Sequence, residues 1–386
     1  MKAYNETLLR NQYAQEVVQR LNKEGKLNEV QCLALQKLHA DVPYNPNIFI
    51  KLLLFLFGCL GFGLGGSLMT VFIIGFDESF WGFSVVSAIY GAGATFLLLF
   101  LIRERKLYFS GIDNALIYCI LGALMPLVYQ IYDTTHLDEP WLAALLFLPL
   151  LLLTTYVFGE PVVALFAFLT TLFIGASLLM KHPLGKALLP FALMIGAAIA
   201  YSLGRRFGQK KASFYWAIAL EWTSTMAMVV FYAAGNYYVV REANAALNHL
   251  PPPAPEIAFA PIFWGLTFVI PLLYLYLGFR WRNRLVLLLG LLGVVASVMT
   301  YRFYHAVLPT EWGLVLGGLV AVAVAVWVIR QLKTPRFGFS NWSEEDKKIG
   351  LETIILSQMT QNIQTTDPSL QLGGGDFGGG GAGEQY

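Results

Sequence analysis

Ten stretches of about twenty mostly apolar residues recur along this chain, at roughly 49–75, 81–102, 112–132, 141–158, 161–180, 187–204, 213–236, 258–279, 284–303 and 312–330. A helix needs about 20 such residues to cross the hydrocarbon core of a bilayer, which is about 30 Å thick. Composition agrees. Only 13% of the 386 residues are charged, where a soluble domain carries about 25%, and 28 Phe and 19 Tyr add to a 57% hydrophobic content. The expected fold class is all-α: a polytopic membrane helix bundle of about ten transmembrane helices, preceded by a short N-terminal cytoplasmic helical hairpin. The bilayer is its expected solvent and first partner.

The basic residues orient the bundle. With the N-terminus in the cytoplasm, 22 of the 26 Lys and Arg fall on the inner side, and only Lys181, Lys186, Arg241 and Arg302 fall outside. Positive charge concentrates on the cytoplasmic side of multi-span proteins. An even number of spans then returns the C-terminus to the cytoplasm. The turn "FGEP" at 158–161 carries no basic residue, so 141–180 is either two full spans or one re-entrant hairpin. The first 46 residues hold no apolar signal-peptide core, so the first span is expected to direct insertion.

Three parts follow. Residues 1–46 read as a cytoplasmic helical hairpin. "NETLLRNQYAQEVVQRLNKEG" spaces Leu8, Leu9, Tyr13, Val17, Val18 and Leu21 at helical period, with Asn5 as N-cap and Gly25 past the end. A second helix, "NEVQCLALQKLHA", starts near Asn28 and stops before "DVPYNP". Residues 47–332 form the membrane bundle. Glycines 58, 61, 63, 65 and 66 in the first span, and "GLVLGG" at 313–318, suit close helix approach. Pro126 and Pro271 are expected to kink or locally open their helices. An outer aromatic belt is expected at Phe80, Trp81, Tyr132, Trp141, Tyr237, Tyr238, Tyr301, Tyr304 and Trp312. Residues 333–386 form a cytoplasmic tail. It holds an amphipathic helix within "SEEDKKIGLETIILSQMTQNI" and a disordered Gly-rich end, "GGGDFGGGGAGEQY".

Two candidate sites stand out. Glu221 lies within "SFYWAIALEWTSTMAMVVFYAAG", about 12 Å past Ser213 at helical rise. A carboxylate at that depth costs on the order of 2.5–3.5 kcal/mol and faces the bundle interior or a wet cavity by default. It is therefore either a proton-titrating or substrate-binding group, or a carboxyl satisfied between helices or lifted to the interface by a shifted boundary. The second candidate is the outer loop "YQIYDTTHLDEPW", which gathers Gln130, Asp133, His136, Asp138 and Glu139, with Arg302 available as an ion-pair partner. One His and three acids on so short a loop read as a polar cap, and no metal is assigned. Cys32, Cys59 and Cys119 have neither disulfide nor zinc spacing.

No GxSxG, HExxH, phosphate-binding loop or Cys–His arrangement is present, so no catalytic residue and no cofactor is assigned. The basic clusters at 205–211 and 280–284 sit beside spans and read as topology signals and anionic-lipid contacts, not as nucleic-acid sites. The long outer loop "REANAALNHLPPPAPEIAFA" reads as a stiff spacer.

Gly25, Leu27 and Gln31 in the hairpin, followed by Gln130, Ile131, Tyr132, Trp141 and Pro149 between two middle spans, form a pattern. The chain thereby resembles bacterial predicted multi-pass membrane proteins of unknown function. They carry an N-terminal helical hairpin and a "QiY … lW … lP" element. The resemblance implies this architecture and a bacterial inner-membrane setting, but no reaction. Two functions remain in view. One is a transporter or permease-like protein handling a small solute or lipid. The other is a non-catalytic accessory or scaffold protein that recruits a protein partner through its hairpin and tail.

Overall fold

The computed structural model describes residues 2–305, apart from 24, 75–79 and 137–138. The tenth stretch at 312–330, the glycines at 313–318, Trp312, the tail and Asp138 lie outside the described residues. Among the described residues the regular structure is helical: α1 Glu6–Lys23, α2 Glu29–Leu38, α3 Ile48–Ile74, α4 Phe80–Arg105, α5 Ile112–Asp133, α6 Pro140–Phe158, α7 Pro161–Leu179, α8 Pro183–Gly208, α9 Ala217–Gly235, α10 Tyr237–Leu247, α11 Ala260–Trp281 and α12 Arg284–Tyr304. Nine helices in this part are long and apolar enough to cross a membrane. The protein is an all-α, multi-pass membrane helix bundle.

The helical pair α1–α2 belongs to one compact unit, spanning 6–43 among the described residues. Val17, Val18 and Leu21 of α1 pack with Leu27, Cys32 and Leu35. Asn28 caps α2 reciprocally: its side chain accepts from Gln31 N at 2.8 Å, and Gln31 Oε1 accepts from Asn28 N at 3.1 Å. Gly25 takes φ +72°, as a helix stop requires. Tyr13 departs from the expected stripe and is 41% exposed.

The second unit holds residues 2–5 and the long helices. Neighbours in sequence pair in space: α4 with α5, α6 with α7, α8 with α9 and α11 with α12; α3 lies on α5, and α7 on α9. The turn at 158–161 is a stop followed at once by a start. Gly159 adopts φ +64°, where a Cβ would meet Tyr215 O at 3.0 Å. Glu160 is the N-cap and Pro161 the first helical residue of α7. The result is two helices of 19 residues each, about 28 Å long at helical rise. Each is long enough to span.

The glycines of α3 divide. A Cβ on Gly58 would sit 2.7 Å from Ala115 Cβ, and Gly65 and Gly66 lie against the Tyr90 ring. Gly61 and Gly63 meet nothing within 4 Å. Only the first group serves packing.

The prolines leave α5 and α11 unbroken. Pro271 has no N–H, so the carbonyl of Thr267 loses its helical donor. Ser297 Oγ of α12 donates to that carbonyl at 2.5 Å. Ser84 and Ser87 of α4 donate to Pro126 O and Ala123 O of α5, at 3.3 and 2.7 Å, although the carbonyl that Pro126 deprives of its donor is that of Gly122.

Two expectations need correction. The loop after residue 240 is not a spacer throughout, because α10 occupies Tyr237–Leu247. Asn236 breaks the chain at φ −82°, ψ 125°, and its side chain caps Val239 N, which starts a new helix after one residue. Tyr237 is not a belt residue. It is 2% exposed and stacks on Trp264 with centroids 4.5 Å apart.

Candidate functional site

Glu221 does not face the interior. Its side chain is exposed on α9. A 3₁₀ turn occupies Lys211–Trp216, so α9 proper begins at Ala217 and Glu221 lies about 6 Å along its axis. Its backbone carbonyl accepts from Thr225 Oγ1 at 2.8 Å.

Among its described residues, the candidate cluster on the 129–141 loop is not brought together at one point. Gln130 is buried in α5, whereas Asp133 and His136 are exposed. Glu139 takes Lys181, at 2.8 Å, rather than Arg302. It also accepts from Trp141 Nε1 at 2.9 Å, and the Lys181 ammonium lies over the Trp141 ring. The Lys181 hydrogen bond is the main cause that holds the Glu139 carboxyl below its ordinary range. Arg302 is partly buried at the end of α12. Among the described residues no three His, Cys, Asp or Glu are grouped as a metal ligand set.

The buried carboxylates are elsewhere, at the basic end, and neither was a candidate from sequence. Asp113, 0% exposed, lies in the first turn of α5. Its Oδ1 accepts from Ser110 N at 2.9 Å and Ser110 Oγ at 3.0 Å, and its Oδ2 accepts from Tyr4 Oη at 2.8 Å. Tyr4 is packed among Tyr108, Phe109, Phe158 and Tyr215. Burial, and then the neighbouring Asp113 charge, push its phenol well above the ordinary tyrosine range.

Glu160, 1% exposed, caps α7 through Oε2 to Val163 N at 2.7 Å. Its Oε1 accepts from Tyr118 Oη at 2.6 Å and Asn114 Nδ2 at 3.3 Å. Each carboxylate therefore has three donors. These are helix-start devices tied to a neighbouring tyrosine, and their chemistry is that of satisfied acceptors. The signals were present. Ser110-x-x-Asp113 before an apolar run is a capping-box spacing, and Glu160-Pro161 is an acid before a first-turn proline.

The opposite end of the bundle carries a different feature. A cleft of about 440 Å³ opens between the first half of α8, the end of α9, α10 and the segment 256–258. Its depth is apolar, with Leu189, Leu193, Val230, Ala234, Val240 and Phe263. Alanines 187, 233 and 243 leave room between the helices. Its polar groups are Lys186, Asn244, Asn248 and Glu256. The break at Asn236 is what sets α10 beside α8 and α9. Asn236 Nδ2 donates to Tyr232 Oη at 3.0 Å and Thr300 Oγ1 at 3.1 Å, which fixes the break against α12. Pro190, also in the lining, deprives the Lys186 carbonyl of its helical donor. An apolar cavity of several hundred Å³ with a few polar groups is the usual form of a small-ligand site.

Comparison of the chain with family models, with curated proteins and with solved structures finds no match.

Proposed function

We propose that this multi-pass membrane protein is transporter- or permease-like and handles a small solute or lipid, which it admits through the cleft beside α10. The observation that carries this reading is the cleft itself: about 440 Å³, apolar in depth and polar in a few places. An apolar depth favours a molecule with a hydrocarbon part over an ion. The charge asymmetry of the turns supports a bacterial inner-membrane orientation with the N-terminus in the cytoplasm and the cleft toward the outside.

A direct test uses the purified full-length protein in mild detergent. Native mass spectrometry should detect retained lipid on the wild type. Ala243→Trp and Ala187→Trp fill the cleft from two walls and should lose it, at unchanged thermal stability. Equal lipid retention in both variants refutes the reading.

The accessory alternative has one observation in its favour. Val30, Leu33 and Leu38 of α2 are exposed apolar residues outside the membrane bundle, the kind of surface a protein partner covers. Substituting all three with Ser and finding the same co-purifying proteins would count against it.

A further inference from the structure

The cleft is not uniformly polar at its edge. It carries one cation and one anion, placed on different elements. Lys186 comes from the first turns of α8, and Glu256 from the segment before α11. Among the described residues they are not paired with each other. Lys186 Nζ donates to Asn248 Oδ1 at 3.4 Å, the long limit of a hydrogen bond. Asn248 is itself held, its Nδ2 donating to Asn244 O at 2.9 Å and Asn244 Oδ1 at 3.1 Å.

Both charges sit on fixed backbone. A Cβ at Gly185 would fall 1.8 Å from Leu179 O, so the chain entering α8 is pressed against the end of α7 just before Lys186. On the other side, Arg241 grips Ala254 O through Nε at 3.0 Å and Nη2 at 2.6 Å, two residues before Glu256. Its guanidinium lies over the rings of Tyr304 and Tyr237, 4.6 and 5.6 Å from their centroids, and Nη1 donates to Tyr237 Oη at 2.9 Å. Tyr304 in turn donates to Glu242 Oε1 at 2.9 Å. Arg241 is thus committed to the scaffold, which leaves Lys186 and Glu256 as the charges of the cleft.

An anionic headgroup would meet Lys186 but also an uncompensated Glu256. A cationic one would meet the reverse. A neutral one would engage neither charge, and both would stay hydrated at the exposed edge. We infer that the occupant is a membrane phospholipid with a zwitterionic head: its phosphate lies at Lys186 and Asn248, its ammonium at Glu256, and an acyl chain enters the apolar depth. This inference rests on the proposed ligand cleft and names the class of molecule it takes.

The test compares three lipids with identical acyl chains: phosphatidylethanolamine, phosphatidylglycerol and diacylglycerol. Each pair competes for the detergent-solubilised full-length protein, read by native mass spectrometry. Charge-assisted contacts of this kind discriminate by about tenfold. The wild type should favour phosphatidylethanolamine over phosphatidylglycerol by about that factor. Glu256→Gln should bring the two to parity or reverse them, since only the phosphate partner remains. Lys186→Gln should weaken both phospholipids and leave diacylglycerol unchanged. Both residues are exposed, so neither variant should shift the unfolding temperature.

Equal binding of the two phospholipids by the wild type, while Ala243→Trp still expels lipid, overturns the headgroup assignment and leaves the cleft reading intact. Lipid retained equally by Ala243→Trp removes the cleft reading itself and the headgroup assignment with it.

Discussion

Replacing Glu160 by Ala removes the acceptor on which the start of α7 depends. Three donors lose their partner: Val163 N–H, Tyr118 hydroxyl and, more weakly, the Asn114 amide. Loss of a helix cap costs about 1 kcal/mol. A buried hydroxyl deprived of a charged acceptor costs about 1.5–3 kcal/mol. The sum is about 2.5–4 kcal/mol, because the donors are buried and water does not replace the carboxylate. Glu160→Asp separates the two contributions. Aspartate caps a helix well but is one methylene too short to keep the 2.6 Å bond to Tyr118, so it should lose about 1.5–3 kcal/mol and keep the cap. Glu160→Gln keeps one acceptor and turns an amide toward the other donor, for a loss of about 1–2 kcal/mol. Unfolding by SDS titration in mixed micelles measures these differences. A double-mutant cycle of Glu160→Ala with Tyr118→Phe should give a coupling of about 1.5–3 kcal/mol. Glu160→Ala within 1 kcal/mol of wild type, or a cycle without coupling, would refute the claim that this carboxylate joins the start of α7 to α5.

Tyr4→Phe should lose about 1.5–3 kcal/mol at neutral pH through the bond to Asp113. The folded phenol sits above its ordinary value of 10.0, so its contribution is complete below pH about 10 and declines as pH rises further, when the unfolded chain ionises first. The gap between wild type and Tyr4→Phe should therefore narrow in SDS titrations taken from pH 9 to 11. Ser297→Ala leaves the Thr267 carbonyl without its donor and should cost about 1–3 kcal/mol. In a Pro271→Ala background the restored N–H serves that carbonyl, and the same substitution should cost about 1 kcal/mol less; equal costs in both backgrounds would sink the explanation. Glu221→Ala, on an exposed face, should move stability by no more than about 0.5 kcal/mol, and a larger thermal shift would mean that the carboxylate has a partner.

Helix existence was legible because it rests on local quantities. Long apolar runs, first-turn prolines such as Pro140, Pro161 and Pro183, and caps such as Asn28 are written in adjacent residues, and hydrocarbon gives such runs one outcome. The candidate sites were less legible because they depend on which way a side chain points. Glu221 was conspicuous for its apolar neighbours in sequence, yet it lies on the exposed side of α9. Glu160 lies in the turn at 158–161 and Asp113 at the start of an apolar stretch, and neither stood out, yet they are the buried ones, because Tyr118 and Tyr4 arrive from elsewhere in the chain. In lipid, apolar residues face both the bundle and the solvent, so the amphipathic period that reveals the inner face of a soluble helix is flattened.

The chain by itself determined that it is a membrane protein, where the long described helices lie to within a few residues, and that α1 and α2 form a pair. Tertiary structure decided the rest. It joined the Pro271-freed carbonyl to Ser297 across 30 residues, turned the chain at Asn236 into α10, and set Lys186 and Glu256, not paired with each other, beside an alanine-lined cleft. The reason is range. Burial in lipid and helix capping act within a few residues. The pairing of a buried donor with its acceptor, and the gap that small side chains leave, exist only once distant helices have packed.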